Sequence, residues 1–327
     1  MASTQSKPDR SPGPFREPIR LGRTDLSVSP MGIGVWAWGS GFYWGYGSDF
    51  EEQDAREAFH TCVQAGINFF DTAEIYGSGC SERLLGAFAQ EVKKPLVITS
   101  KFMPFPWRLS RRTLRRALRA SLRRLGREIL DLYLIHHPLP PVPIPIWMEA
   151  MADAVEEGLI RAVGVSNFNL NQMRLAADAL ARRGIPLAAN QVPYSPLSQS
   201  IETEGLLEAA REMGVAVVAY SPLEQGLLTG KFSPQNPPGG VRGLRFRGDS
   251  LQQLGVLLER MREIGEAHGG KTPAQVALNW TLCKGTIPIP GVKRKRQAEE
   301  NLGALGWRLT TAEVEALGKL GRDLVRG

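Results

Sequence analysis

Eight short apolar runs alternate with segments of helical periodicity along almost the whole chain. The apolar runs cover residues 28–35, 68–73, 96–101, 130–136, 162–167, 188–193, 216–221 and 286–290. The helical segments cover residues 51–65, 82–88, 110–125, 147–157, 170–182, 204–213 and 273–283. Strict alternation produces parallel strands joined by right-handed crossovers, and eight such strands close a barrel. The pattern predicts an α/β fold, a single TIM-type (α/β)8 barrel with its active site at the C-terminal mouth.

A doubly wound α/β sheet is the competing fold for such a pattern. It would carry a Gly-rich phosphate loop between its first strand and the following helix. Gly32 and Gly34 lie near the first strand, but the remaining glycine and the helix of that motif do not follow them. We therefore favour the barrel, with residues 19–327 as its one domain. Residues 1–18 are polar and proline-rich and are predicted to be a disordered lead-in.

Local signals mark several helix ends. Four glycines follow a helical segment just before a strand, as C-cap residues do. These are Gly66, Gly158, Gly184 and Gly214. Thr272 begins a capping-box sequence with proline at the first helical position. Residues 230–270 exceed one strand-to-helix link and contain an extra helical pattern at 251–266, so we expect an active-site loop there.

Composition excludes several other classes of protein. Hydrophobic residues make up 43% of the 327, and no apolar run approaches the ~20 residues of a membrane span. The N-terminus lacks the apolar stretch of a signal peptide. Cys62, Cys80 and Cys283 lie far apart without a CxxC pair. We therefore expect neither a disulfide framework nor a metal site, and a cytoplasmic location.

The net charge of +7 raises the question of an anionic partner, and arginines crowd the segment between residues 108 and 127. Leucines recur in the same segment with the spacing of an apolar helix stripe. These are Leu114, Leu118, Leu122 and Leu125. The pattern predicts an amphipathic helix with Ser110 as its N-cap and a solvated basic face. No aromatic residues interleave with the arginines, so nucleic-acid binding is not expected.

Polar residues stand at the C-terminal ends of the predicted strands. They are Asp71, Thr72, Lys101, His136, Ser166, Asn167, Gln191, Tyr220 and Ser221. Their spacing of about one strand–helix repeat places them around one mouth, where barrel enzymes hold their reactive groups. Tyr76 follows Asp71 by five residues, on a loop that can fold back over that mouth. Four ionisable or phenolic groups converging there indicate an active site.

The chain resembles the aldo-keto reductases in several blocks that occur in the same order. The blocks are 69–77 (FFDTAEIYG), 98–101 (ITSK), 131–136 (DLYLIH), 164–168 (GVSNF), 190–191 (NQ), 219–223 (AYSPL), 290–291 (PG) and 300–301 (EN). The resemblance spans roughly residues 19 to 320. Residues 226–231 (GLLTGK) and Gln297 are similar to the branch with bacterial and plastid reductases and potassium-channel β subunits.

This resemblance implies a catalytic tetrad of Asp71, Tyr76, Lys101 and His136. In that reading the chain reduces aldehyde or ketone carbonyls with NADPH, and Tyr76 is the general acid. A phenol with a pKa near ~10 is a weak donor at neutral pH, and a nearby ammonium is expected to lower that pKa. Asp71 is the counter-ion of Lys101, and His136 contacts the substrate oxygen.

The resemblance also implies a set of cofactor-binding residues. They are Trp36, Ser166, Asn167, Gln191, Tyr220, Ser221, Pro222, Leu223, Gln225, Gly226, Lys231, Gly291, Lys293, Arg294, Gln297, Glu300 and Asn301. Amide and hydroxyl groups suit the nicotinamide carboxamide, and the ring of Tyr220 suits stacking on nicotinamide. Lys293 and Arg294 precede a helix and are expected to bind the 2′-phosphate, which favours NADPH over NADH.

An aromatic-rich pocket is expected for the carbonyl substrate. The predicted lining residues are Trp36, Trp38, Trp44, Phe102, Trp107 and His137. His137 departs from the family pattern, since many relatives carry an aromatic ring there.

Two other functions stay open at this stage. One is a barrel lyase in which Lys101 forms a Schiff base, a reading that leaves Tyr76, Gln191 and Tyr220 without a role. The other is an NADP-binding regulatory protein without turnover, like the channel β subunits. The physiological substrate, the direction of reaction and the oligomeric state are not written in the sequence.

Overall fold

A single parallel sheet of eight strands is the centre of the molecule. The structure is a computed structural model that describes residues 14–233, 236–237 and 249–326. The strands of the sheet are β3 (Ile33–Gly34), β4 (Phe69–Asp71), β5 (Val97–Phe102), β6 (Leu130–Ile135), β7 (Ile160–Ser166), β8 (Leu187–Pro193), β9 (Ala216–Tyr220) and β10 (Ile287–Ile289). Each pairs in parallel with its neighbour in the chain, in the order β10-β9-β8-β7-β6-β5-β4-β3.

Hydrogen bonds between the two end strands close the sheet into a barrel. The Gly32 amide donates to the Pro288 carbonyl at 3.0 Å, and the Gly34 amide donates to the Pro290 carbonyl at 3.1 Å. Gly34 and Gly291 form a parallel bridge beside them. The predicted eight-stranded α/β barrel is therefore confirmed.

The predicted first strand, residues 28–35, is wrong as one continuous element. Val28 belongs instead to β2 (Ser27–Val28), which pairs antiparallel with β1 (Ile19–Arg20) in a hairpin. Pro30 interrupts the run, because proline has no amide hydrogen to donate to a sheet. The barrel strand β3 begins only after this break.

The hairpin fills the lower end of the barrel, opposite the mouth. Leu21, Leu26 and Val28 are fully buried or nearly so. They form one apolar cluster with barrel side chains that include Phe69 and Leu132. A larger cluster lies between the strands and the surrounding helices.

Twelve α-helices are present in the described residues. They are α1 (Gly41–Trp44), α2 (Glu52–Gln64), α3 (Cys80–Gln90), α4 (Arg111–Leu125), α5 (Ile144–Glu156), α6 (Leu170–Ala181), α7 (Ser200–Thr203), α8 (Leu206–Met213), α9 (Asp249–Ala267), α10 (Pro273–Cys283), α11 (Lys295–Leu302) and α12 (Thr311–Arg326). No helix of the described chain combines the length and the apolar character that crossing a bilayer requires.

Most of the helix ends that the sequence predicted have the expected backbone conformation or capping bonds. The four predicted C-cap glycines all have positive φ, from 68° to 95°. Thr272 and Gln275 form the capping box that starts α10. Ser110 precedes α4 with extended backbone but makes no capping bond with its side chain. The leucine stripe of α4 is buried as predicted.

Two predictions fall partly on residues that the structure does not describe. Most of the lead-in, residues 1–13, lies outside the described residues. The same is true of residues 234–235 and 238–248, within the predicted insertion at 230–270. The extra helix predicted at 251–266 is α9.

Candidate active site

Asp71 and Lys101 form a buried ion pair at the barrel mouth. Asp71 ends β4 and is 2% exposed, whereas Lys101 on β5 is 0% exposed. Lys101 Nζ donates to Asp71 Oδ1 at 2.5 Å and to the Thr72 carbonyl at 2.8 Å. Gln191 Nε2 donates to Asp71 Oδ2 at 2.8 Å, so each carboxylate oxygen has a donor. Such complete hydrogen bonding is what a buried ion pair requires.

Burial acts on both members of this pair. It raises the pKa of Asp71 and lowers the pKa of Lys101, since a charge is costly away from water. Their mutual attraction opposes both shifts. The two hydrogen bonds to the Asp71 carboxylate favour the ionised pair.

Tyr76 lies on a tight turn that returns over the mouth after β4. The turn is a short 3₁₀ helix, Tyr76–Gly79, in which Gly77 has φ of 53°. A Cβ at Gly77 would lie 2.4 Å from the Gly39 carbonyl oxygen, so only glycine fits. The turn places the Tyr76 hydroxyl 3.4 Å from Lys101 Nζ.

The pKa of Tyr76 is not lowered, contrary to the expectation from the sequence. Burial and the nearby Asp71 carboxylate raise this pKa well above its usual range. The cost of burying a phenolate exceeds the attraction of an ammonium that also serves Asp71. Tyr76 therefore holds its proton in this site.

His136 completes the tetrad from the end of β6. Its ring stands edge-on to the Tyr76 ring, with 5.8 Å between the centroids. Burial, Lys101 and His137 lower the pKa of His136 to about 2, so the imidazole is neutral at physiological pH. Its Nδ1 atom is buried and has no hydrogen-bond partner within the described residues. His137 stacks on it at 5.1 Å.

Four of the residues expected at the nicotinamide form a connected cluster beside the tetrad. Asn167 Nδ2 donates to Ser166 Oγ at 3.1 Å and to the His136 carbonyl at 3.0 Å. The Tyr220 hydroxyl donates to Asn167 Oδ1 at 2.9 Å, and Ser166 Oγ donates to the Gln191 carbonyl at 2.9 Å. Amide and hydroxyl groups next to a half-buried phenol ring are the donor set that a nicotinamide carboxamide needs.

The residues expected over the pyrophosphate follow β9 in an unusual backbone conformation. Ser221, Glu224 and Gln225 have positive φ, between 46° and 52°. Non-glycine residues hold this conformation rarely, and it is concentrated at functional sites. Pro222, Leu223 and Gly226 belong to the same turn, and Lys231 is exposed beyond it. Tyr43 of α1 donates from its hydroxyl to Gln225 Oε1 at 2.9 Å.

The basic pair expected at the 2′-phosphate is engaged by acidic residues. Lys293 Nζ lies 3.1 Å from Asp49 Oδ2 and donates to the Trp44 carbonyl at 2.5 Å. Arg294 donates to the Asp49 carbonyl and lies 3.4 Å from its Oδ1. Arg294 Nε also lies 3.7 Å from Asp54.

The remaining residues of this region surround the start of α11. Gln297 accepts from the Lys293 amide at 2.7 Å, and Glu300 accepts from the Thr272 hydroxyl. Asn301 is buried, and Gly291 lies exposed beside the barrel seam.

Two of the residues predicted to line a substrate pocket do not line the mouth. Trp38 is fully buried, packs on Phe88 of α3 and donates to a backbone carbonyl. Phe102 is fully buried against Trp147 of α5. Both predictions are wrong, because these side chains point into the layer between strands and helices.

Of the other aromatic residues expected in the pocket, Trp36 lies beside Tyr76 and packs with Trp44, whereas Trp107 is exposed on the loop after β5. Trp36 is 37% exposed, and its ring centroid lies 6.0 Å from that of Tyr76. Trp44 packs edge-on against it at 5.2 Å. Trp107 is 72% exposed and stacks on Phe105 at 4.7 Å.

Sequence reasoning missed two participants in this site. The carbonyl of Thr72 accepts from Lys101, but a main-chain oxygen has no residue-type signal. Asp49 contacts residues 244 and 245 positions away, and an acidic residue in a loop has nothing in its local sequence that predicts such a pair.

Comparison with known proteins gives one consistent result. The family model described as the aldo/keto reductase family matches residues 30–322. The chloroplastic pyridoxal reductase of Arabidopsis thaliana is 43% identical, covering 88% of this chain and 82% of that protein. The NADH-specific methylglyoxal reductase of Escherichia coli is 30% identical, covering 94% and 99%. An aldo-keto reductase from Klebsiella pneumoniae solved with NADPH is 28% identical, with a TM-score of 0.74 over 93% of this chain and 95% of that one.

Proposed function

The chain belongs to the aldo/keto reductase family, and we propose that it uses NADPH to reduce aldehyde or ketone carbonyls to alcohols. The family consists of oxidoreductases with nicotinamide cofactors. One observation carries the proposal. Lys101 Nζ lies 2.5 Å from Asp71 Oδ1 and 3.4 Å from the Tyr76 hydroxyl, at the mouth of the barrel.

Each member of the tetrad then has a defined task. Reduction of a carbonyl requires a hydride at carbon and a proton at oxygen, and a bound reduced nicotinamide supplies the hydride. Tyr76 holds the proton and releases it to the oxygen as negative charge develops there. Lys101 stabilises the phenolate that remains, and Asp71 holds Lys101 in place. Neutral His136 borders the same space and provides a hydrogen bond to the oxygen.

The cofactor residues divide into four groups, one for each part of the cofactor that they contact. Ser166, Asn167 and Gln191 hold the carboxamide, and Tyr220 stacks on the nicotinamide ring. The turn after β9 binds the pyrophosphate, and Glu300 with Asn301 contacts the adenine. Lys293 and Arg294 bind the 2′-phosphate, which supports NADPH as the preferred cofactor.

Burial of Lys101 argues against the lyase reading. A Schiff base forms only when a neutral amine reaches a carbonyl carbon. Lys101 has no exposed surface and donates to Asp71 and Thr72. Borohydride trapping of a substrate on Lys101 would favour the lyase instead.

A direct activity assay distinguishes a reductase from a regulatory protein without turnover. The purified protein is tested with NADPH and a panel of aldehydes and ketones, following cofactor absorbance. We expect turnover with at least one carbonyl class. A protein that binds NADPH but turns over no compound of the panel would support the regulator.

Tyr76→Phe tests the assigned acid. We expect kcat to fall by at least ~100-fold, the range of general acid catalysis, while the Kd for NADPH stays within about twofold. Tyr133→Phe is the matched control, since it deletes a hydroxyl from a buried tyrosine that packs in the outer apolar layer of the barrel. A Tyr76→Phe enzyme that keeps most of its rate would show that another group is the acid.

The cellular location is part of the proposal as well. All three cysteines are free, which fits a reducing compartment such as the cytoplasm. The Arabidopsis relative is named as chloroplastic, so targeting differs among similar proteins.

A further inference from the structure

Asp49 lies between the two cations assigned to the cofactor phosphate. Its carboxylate oxygens lie 3.1 Å from Lys293 Nζ and 3.4 Å from Arg294. Its backbone is held as well, since its amide donates to the Gly45 carbonyl at 2.7 Å and its carbonyl accepts from Arg294. The Asp49 side chain is 54% exposed, so it faces the solvent from which a cofactor would arrive.

Acidic residues offset the positive charge of the pair. Lys293 and Arg294 bring two positive charges, and Asp49 with Asp54 brings two negative ones. The ammonium of Lys293 is further occupied by the Trp44 carbonyl and by the ring of Phe50, 5.2 Å away. A phosphate dianion must therefore either displace the Asp49 carboxylate or bind more weakly because that carboxylate repels it.

We propose that Asp49 determines cofactor selectivity by competing with the 2′-phosphate of NADPH for Lys293 and Arg294. The inference rests on the proposed function, because it assumes that these cations receive the adenosine end of the cofactor. The ribose of NADH carries a hydroxyl instead of that phosphate. A carboxylate accepts a hydrogen bond from a hydroxyl but repels a phosphate. Asp49 therefore lowers the affinity for NADPH without lowering the affinity for NADH.

The test measures dissociation constants for NADPH and NADH with the full chain and with Asp49→Asn. The amide keeps the shape of the side chain and removes its charge. Asp25→Asn is the matched control, because Asp25 is also exposed and paired with an arginine, Arg161, but sits beside the hairpin at the lower end. Adenosine 2′,5′-bisphosphate and AMP serve as probes of the adenosine end in the same titrations.

We expect Asp49→Asn to bind NADPH and the bisphosphate at least fivefold more tightly. Its affinities for NADH and AMP should change less than twofold, and Asp25→Asn should change none of the four. An unchanged or reduced ratio of NADPH to NADH affinity would overturn the inference, and a reduced ratio would make Asp49 a positioning residue for the two cations. If the unmodified chain bound neither cofactor, the proposed function would fail and the inference with it.

Discussion

His136 is held neutral by its surroundings, and that state links the candidate active site to the stability of the protein. Its pKa is lowered to about 2 in the folded chain, mainly by burial. The unfolded chain binds a proton at this residue below pH ~6.5, the ordinary value for histidine. The free energy of unfolding therefore carries no penalty from His136 above pH ~6.5. It decreases as the pH falls below that value, because the unfolded state then binds a proton at His136 that the folded state does not.

We expect the contribution of His136 to the free energy of unfolding to fall by about 2 kcal/mol between pH 7 and pH 5. Urea unfolding at several pH values measures the loss in the unmodified chain, and His136→Gln should flatten the profile by this amount. An unchanged profile in His136→Gln would show that the buried imidazole does not control acid stability.

The convergence of Asp71, Lys101 and His136 on the mouth was predictable from the sequence because these three residues occupy equivalent places in a repeated element, which Tyr76 on its turn does not. Asp71, Lys101 and His136 lie at or beside the ends of consecutive strands, and parallel strands bring such ends together. Trp36 and Trp38 show the limit of this reasoning. The aromatic residues after the first strand suggested that both belong to a pocket, but only Trp36 lies at the mouth, since the direction of a loop side chain depends on tertiary packing.

At the scale of elements, α3 and α4 pack so closely that one glycine is required between them. A Cβ on Gly86 of α3 would lie 2.5 Å from the Leu125 carbonyl oxygen at the end of α4. Backbone atoms cannot yield as a flexible side chain can. The helices therefore meet at a point where any side chain would force them apart.

Gly86→Ala should lower the free energy of unfolding by roughly 1–3 kcal/mol, the usual cost of overpacking. Gly255→Ala in α9 is the matched control, because a Cβ there has nothing within 4 Å. The control should gain about 0.5–1 kcal/mol from helix propensity. Denaturant unfolding measures both, and equal effects of the two substitutions would contradict the close contact.

Elements with strong local signals were the predictable ones. The capping box at Thr272 and the C-cap glycines are determined by neighbouring residues, so they form as the sequence indicates. The break at Pro30 was missed because apolar character continues on both sides of it. Which side pairs with β4 and which joins a hairpin is decided by contacts distant in the sequence.

At the scale of the whole molecule, the barrel separates stability from activity. The hairpin of β1 and β2 buries Leu26 at the lower end, while the tetrad occupies the mouth. Substitutions at the lower end that leave the residues of the mouth unchanged should therefore not alter the kinetics of the proposed reaction.

Leu26→Ala should reduce the free energy of unfolding by about 2–5 kcal/mol, as deletion of a buried leucine side chain does. Ile19→Ala in the same hairpin should cost far less, since Ile19 is 39% exposed. At temperatures where both variants are folded, kcat and KM should match the unmodified enzyme. A large change in kcat for Leu26→Ala would show that the lower end is coupled to the mouth.

The hairpin and the side chains packed inside the strands close the lower end of the barrel, so the proposed substrate and cofactor can reach Tyr76 only from the mouth. At that end the Trp36 ring lies 6.0 Å from the Tyr76 ring, measured between centroids, and Tyr220 borders the residues proposed to hold the nicotinamide. A carbonyl compound that entered first would stand in the path of the nicotinamide. The cofactor should therefore enter first and leave last. In product-inhibition measurements, the oxidised cofactor should compete with the reduced cofactor but not with the carbonyl compound. Competition with both would mean that cofactor and carbonyl compound bind in random order.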